Sequence, residues 1–388
     1  MPTDNSSITN TGMPLEDQML VKTVIGKIYE LGRTAEFVGP IVTGPRLRYF
    51  GLRPTNNTKV TSLEDMSDDL AVVLGVESVL LKRMPGQGVV GCFIPRKDPQ
   101  SVSWFNMMAM PGVEDELKKA SIPLLLGINW QGRAVVNDLS DCPHLLISGS
   151  TGGGKSVLLR TIIATICQYK NQDEVQLVLS DSKGVEFTDF DASRNLKYPR
   201  ATSPIRTIEY MDNLCMEVDQ RLNMFAMAGC KNIREWNDFA SSRDKPMPYI
   251  CLVIDELADI VCLPTEKGAA KYIGAEKLDY ITRKARAAGI HVIAAVQRPS
   301  VDVVKGVIKN NFPSRLTFKM PSQIDSRVVL DTEGAEHLLG VGDCLFKGPT
   351  VSGLLRLHTG IANYKDIKAM LDFVAFRITQ EQQMGGVQ

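Results

Sequence analysis

Residues 149–156 read Gly-Ser-Thr-Gly-Gly-Gly-Lys-Ser and fit the pattern GxxxxGK[ST]. The apolar run Leu145-Leu146-Ile147 precedes them, and Val157, Leu158, Ile162 and Ile163 follow at helical spacing. A strand, a glycine-rich loop and a helix in this order constrain the fold more than any other feature of the chain. The strand must lie in a sheet, and the helix must return across its face. Backbone N–H groups of such a loop wrap phosphates, and the helix N-terminus adds a favourable dipole. Gly149, Ser150, Thr151, Gly152, Gly153, Gly154, Lys155 and Ser156 are therefore expected to bind a nucleotide. Lys155 would reach the β- and γ-phosphates, and the Ser156 hydroxyl would ligate Mg²⁺, with ATP and Mg²⁺ as the implied cofactors.

From His144 onward, short apolar runs alternate with longer helical patterns: HLLIS, VQLVLS, YICLVI, HVIAAV and RLTF. This alternation predicts an α/β domain whose sheet is predominantly parallel and flanked by helices. Ile250–Ile254 reads as a buried strand ending in Asp255 and Glu256. Asp255 is expected to hold the Mg²⁺ shell and Glu256 to act as general base on water. The same pair could serve only to cap the next helix. Val292–Val296 ends in Gln297, placed to sense the γ-phosphate or position water.

The chain ahead of this domain has a different texture. Residues 1–18 are rich in Thr, Asn and Ser and suggest a disordered lead. Residues 19–115 are expected to form a small α+β domain and 116–388 the ATPase domain. Within the first, 37–42, 47–52, 79–84 and 89–94 read as strands. Ser62 is expected to cap a single helix with Leu63, Met66, Leu70, Val73 and Leu74 on its apolar face.

The 44 basic residues balance 44 acidic ones, which excludes a basic nucleic-acid coat but not a local basic patch. No apolar stretch approaches the ~20 residues of a membrane span, and no signal peptide is read. The eight cysteines form no CxxC pair and the four histidines show no metal spacing, so a cytoplasmic chain without structural zinc is expected.

Taken together, PHLLISGSTGGGKSV, IDELADI, the run from RKARAAGIHVIAAVQRPSVD to SQIDSRVVLD, and GAEHLLGVGDCLF resemble the motor region of the FtsK/SpoIIIE DNA translocases. The resemblance runs from about residue 36 to about residue 360, with GPRLRYF and MPGQGVVGCFIP similar to the smaller α domain. It implies a RecA-like P-loop ATPase that assembles as a homohexamer and pumps double-stranded DNA through a central channel. By the same resemblance Arg286 is a finger reaching a neighbouring subunit's ATP, with Arg283 a weaker candidate. The channel contacts map to Arg298 and Lys309 and to the stretch around Gln323 and Arg327. Lys305 joins them because residues 303–324 carry Lys305, Lys309, Arg315 and Lys319 and no acid. Gln323 stands where the family is expected to have lysine. Asp181 and Lys183 resemble an Asp-Pro-Lys segment, with Ser182 replacing the proline.

The segment after residue 360 leaves no room for the winged-helix domain of chromosomal members, so loading directed by that domain is not expected. Direct membrane insertion is not expected either. Two other readings stay open: a conjugative coupling or secretion ATPase of the same superfamily, and a non-hydrolysing nucleotide-switched scaffold. Intact Lys155, Asp255 and Glu256 argue against the second.

Overall fold

A computed structural model describes residues 13–84, 86–240, 246–263, 273–297 and 310–385. The chain divides into two compact units. One runs to Ser101 and includes Trp130–Gly132 and His337–Leu339; the other comprises Val102–Asn129, Arg133–Glu336 and the chain from Gly340.

The first unit contains α1 (Leu15–Glu30), β1 (Ala35–Thr43), β2 (Leu47–Pro54), α2 (Val60–Glu64), α3 (Ser67–Leu74), β3 (Leu80–Met84) and β4 (Val89–Pro95). Its strands form an antiparallel sheet in the order β1-β2-β4-β3. Helix α1 begins inside the stretch expected to be a disordered lead. It buries Val21, Val24 and Ile28, a one-sided spacing that places Val24 and Ile28 in a core with Phe50, Leu52, Val90 and Ile94.

The single helix expected from Ser62 is instead two short ones. The chain enters α2 at Val60, and the Ser62 hydroxyl donates back to the Lys59 carbonyl (2.8 Å). At the break, the Ser67 hydroxyl donates to Glu64 O (2.9 Å) and accepts from Leu81 N (3.2 Å), tying the kink to β3. Val73 is consequently left exposed.

The second unit opens with α4 (Trp104–Met108), α5 (Val113–Lys119), β5 (Pro123–Asn129) and β6 (Ala134–Asp138). Residues 102–115, expected in the first domain, pack here: Val102, Trp104, Met107 and Val113 share a core with Leu124 and Ile162. Next come β7 (Leu145–Ser148), α6 (Lys155–Tyr169), β8 (Val175–Ser180), α7 (Pro204–Ala228), α8 (Ile233–Ala240), β9 (Tyr249–Ile254), α9 (Leu257–Val261), α10 (Ile273–Lys284), β10 (Ile290–Val296) and β11 (Ser314–Phe318). The chain closes with α11 (Gln323–Leu330), β12 (Asp343–Lys347), β13 (Leu355–His358) and α12 (Tyr364–Gly385).

The sheet order is β6-β5-β13-β12-β11-β7-β10-β9-β8. The run β11-β7-β10-β9-β8 is parallel throughout, and β12, β13, β5 and β6 extend it by antiparallel pairing. Strands β7, β9, β10 and β11 are buried at every residue, which is why they read as unbroken apolar runs rather than alternating ones. No helix among the described residues is long and apolar enough to cross a membrane.

Candidate nucleotide site

Strand β7 lies between β10 and β11, so the order of the parallel strands reverses around it. Ligands of open α/β sheets bind at such a switch point, beyond the C-terminal strand ends. The glycine-rich loop leaves β7 there and enters α6 at Lys155. Gly149, Gly152 and Gly154 have φ of 151°, 80° and 118°, which side chains disfavour. Two of them are also constrained from below. A Cβ on Gly149 would lie 2.7 Å from Phe318 Cβ, and one on Gly154 would lie 3.1 Å from Phe318 Cε1 and 3.3 Å from Gly342 N. Phe318, at the end of β11, therefore buttresses the loop. Gly342 N donates to Gly153 O (2.9 Å), and both the amide and the hydroxyl of Ser150 donate to Lys319 O (3.4 and 3.2 Å). Neither Phe318 nor Gly342 stands out in the sequence as a site residue, because both meet the loop across a long chain separation.

Lys155 is buried, and its Nζ donates to Gly149 O (2.7 Å) and Ser150 O (3.4 Å). Burial pulls its pKa below the ordinary lysine range, while the charges of Glu256 and Asp255 oppose that shift. Ser156 follows it in the first turn of α6, partly exposed.

Both acids follow β9. Asp255 N donates to Ser180 O (3.0 Å), and the Asp255 side chain is buried with no hydrogen-bond partner on Oδ2. Burial pushes its carboxyl up to about 6; the negative charge of Glu186 adds to this and Lys183 opposes it. A buried carboxylate oxygen without a hydrogen-bond partner, close enough for its charge to act on Lys155, is what a divalent cation would satisfy, so Asp255 and Ser156 fit Mg²⁺. Glu256 does cap α9, accepting from Ala258 N (3.4 Å), and it also accepts from Gln297 N (3.5 Å). The capping and site readings of this residue are therefore compatible. Burial raises the Glu256 pKa, and the two backbone donors moderate the rise. The Gln297 contact brings the ends of β9 and β10 together.

Asp181 is not available to a cation. Its fully buried carboxylate accepts from Gly184 N (2.9 Å), Glu186 N (2.9 Å) and Phe187 N (3.1 Å) and pairs with Arg200 (3.1 Å). It organises the loop that carries Glu186. Lys183 is exposed, close enough for its charge to act on Lys155 and Asp255.

Arg286 is exposed just before β10, at the opposite end of the parallel strands from the glycine-rich loop. The seven residues of β10 put ~20 Å between that end and the loop. Arg286 lines a cavity of about 320 Å³ with Lys231, Arg234, Asp141, Tyr249 and His291. Arg234 grips Asp141 (2.6 Å) and the Ser140 hydroxyl (2.6 Å). Arg283 pairs with Asp279 (2.8 Å).

Of the residues expected at DNA, Arg298, Lys305 and Lys309 lie outside the described residues. Arg327 is exposed on α11 and paired with Glu333 (2.8 Å), which also accepts from the Gln323 amide. Arg315, counted in the basic run, is buried: it donates to Phe312 O and Val329 O and pairs with Asp331 (2.6 Å). That residue holds structure and presents no charge to a ligand.

A glycine-rich loop at the switch point of this sheet, with buried acids following the parallel strand two places away, defines a RecA-like P-loop ATPase. The sequence profile of the FtsK alpha domain matches residues 12–96, and that of the FtsK/SpoIIIE family matches residues 112–301. The DNA translocase FtsK of Helicobacter pylori (strain ATCC 700392 / 26695) is 38% identical over 350 residues, covering 88% of this chain and 40% of that protein. The DNA translocase FtsK of Campylobacter jejuni (serotype O:2, strain ATCC 700819 / NCTC 11168) is 36% identical over 342 residues, 87% of this chain and 35% of that protein. The pCW3 conjugation coupling protein TcpA, in its monomer form with ATPgS, shares the fold with a TM-score of 0.61 at 21% identity, covering 92% of this chain and 99% of that one. The chain belongs to the FtsK/SpoIIIE family. It spans less than half the length of the curated relatives it matches.

Proposed function

We propose that the chain is the motor of a cytoplasmic DNA translocase, a homohexameric ring that hydrolyses ATP to pump double-stranded DNA through its channel. Loop N–H groups and Lys155 hold the phosphates, and Asp255 with Ser156 holds Mg²⁺. The bound Mg²⁺ supplies charge neutralisation and alignment of the phosphates. Glu256, made more basic by burial, takes the proton of the attacking water as its oxygen bonds to the γ-phosphorus and the bond to the β-phosphate oxygen breaks. Gln297 orients that water. Arg286 stabilises the charge of a neighbouring subunit's transferring phosphoryl group, linking hydrolysis to ring geometry. Movement is passed to the DNA through Arg298, Lys305, Lys309 and Arg327, which contact phosphates rather than base edges, so most sequences are tolerated.

The observation that supports this reading is that Arg286, ahead of β10, and the glycine-rich loop, after β7, lie at opposite ends of two paired parallel strands, which keeps Arg286 from its own loop. Displacement of a third strand from linear duplex DNA tests it. Displacement with ATP, and none with a non-hydrolysable analogue, is expected. Duplex DNA that neither binds nor stimulates phosphate release would overturn the proposal.

A further inference from the structure

The strand order gives the nucleotide site a direction. Asp255 and Glu256 end β9, which lies on one side of β7 across β10, and Phe318 ends β11 on the other side. A nucleotide that presents its terminal phosphate to the β9 acids must therefore run its ribose and base over the β11 side. On that side the turn Gly340-Val341-Gly342 abuts the loop through the bond from Gly342 N to Gly153 O (2.9 Å).

All three turn residues have left-handed φ: 79°, 33° and 88°. Glycine adopts this region freely, but a β-branched residue is a genuine outlier there. The other non-glycine residues with positive φ are Asn56, Asn57, His144 and Asp331, types that tolerate it; Val341 is the β-branched exception among the described residues. The turn is hydrogen-bonded on both sides of Val341. Asp343 N donates to Gly340 O (3.1 Å) and Thr359 N to Gly342 O (2.8 Å), besides the bond to the loop. Burial does not compensate the strain, because Val341 is 61% exposed. A strained backbone, fixed by its neighbours and presenting an apolar side chain at the rim of a site, is a feature that clusters at ligand contacts.

We infer that Val341 forms the nucleoside-side wall of the ATP site and packs against the face of the purine base. This rests on the reading of the loop as an ATP site, and not on the reading of the chain as a DNA motor. An aliphatic wall offers more contact to a purine than to a smaller pyrimidine, so Val341 contributes to preference for ATP over CTP.

Calorimetric titration of ATP and of CTP into the full chain and its Val341→Gly and Val341→Ala variants tests the inference, with thermal unfolding in parallel. Val341→Gly is expected to weaken ATP binding about five- to tenfold, change CTP binding less than about twofold, and unfold no lower than the unaltered chain. Val341→Ala is expected to fall between. Unchanged ATP affinity in Val341→Gly, equal losses for ATP and CTP, or a loss accompanied by a lower unfolding midpoint would each overturn the inference while leaving the ATPase reading intact. Absence of ATP binding by the unaltered chain would overturn both.

Discussion

Lys155 Nζ donates to the carbonyl oxygen of Gly149 in its own loop at 2.7 Å. The ammonium is buried and already pulled toward deprotonation by that burial, so a phosphate that displaces the carbonyl meets a poorly solvated charge. Lys155→Ala is expected to lower ATP turnover by about a hundredfold or more while leaving the thermal unfolding midpoint within a few degrees. Steady-state phosphate release checks this, and a variant that kept a tenth of the rate would remove Lys155 from the mechanism.

Gly149 and Phe318 form the tightest packing under the loop, since a Cβ on Gly149 would sit 2.7 Å from Phe318 Cβ. Gly149→Ala is expected to destabilise the fold by about 1–3 kcal/mol through overpacking, measured by urea unfolding. Phe318→Gly removes the obstructing Cβ together with its ring, at its own cavity and backbone cost, so the double variant should lose less than the sum of the singles by at least ~0.5 kcal/mol. Strict additivity would mean that the loop does not rest on Phe318.

The elements around this packing differ in how plainly the sequence announces them. β7, β9 and β10 are buried on both faces, so Leu145–Ser148, Tyr249–Ile254 and Ile290–Val296 stand out as apolar runs. The loop and the acids lie at the ends of those runs and are read together with them. α1 is hidden because it starts at Leu15, inside a lead rich in Thr, Asn and Ser, although Leu20, Val24, Ile25 and Ile28 all pack on one core. The Ser67 bridge that splits the second helix depends on Leu81, which local spacing cannot reveal. Charge misleads at Arg315, whose partners Val329 and Asp331 reach it only after α11 folds back against β11. Phe318 and Gly342 share that difficulty: their role under the loop exists only in the folded sheet.

His144, just before β7, and His291, in β10, lie with ring centroids 5.8 Å apart, and His144 Nδ1 accepts from Val292 N (3.1 Å). Burial holds both imidazoles down to about 3; the charge of His291 then adds to the shift of His144, and those of Arg286 and Arg234 to the shift of His291. A histidine whose folded pKa lies below its unfolded value binds fewer protons when folded. Stability is therefore fully present above the ordinary histidine value of about 6.5 and falls as pH drops toward 3. His291→Phe is expected to remove one proton from this linkage, reducing the slope of stability between pH 6 and 4 by up to about 1.4 kcal/mol per unit. Urea unfolding across that range checks it, and an unchanged slope would show that His291 does not titrate with unfolding.

Arg286 can act only on a second copy if β10 separates it from its own loop. Lys155→Ala and Arg286→Ala chains should each be nearly inactive alone. Mixed, they should regain turnover, because an Arg286→Ala chain supplies an intact loop and a Lys155→Ala chain supplies the arginine. Random mixing in equal amounts completes about one interface in four. Phosphate release that stays at the level of the separate variants would place Arg286 outside the shared site.

Glu333 holds Arg327 at 2.8 Å and also accepts from the Gln323 amide, so the arginine expected at DNA is partly neutralised by its own neighbour. Releasing it should strengthen its hold on a phosphate, because the ion pair is exposed and contributes little to stability. Glu333→Gln is expected to tighten duplex DNA binding, and Arg327→Ala to weaken it equally for unrelated sequences. In Arg327→Ala the slope of log affinity against log salt should shrink by about 0.9 for every phosphate that a bound chain no longer neutralises. Fluorescence anisotropy over a salt series measures both effects. A sequence-dependent loss, or an unchanged slope, would assign Arg327 to a role other than holding phosphate.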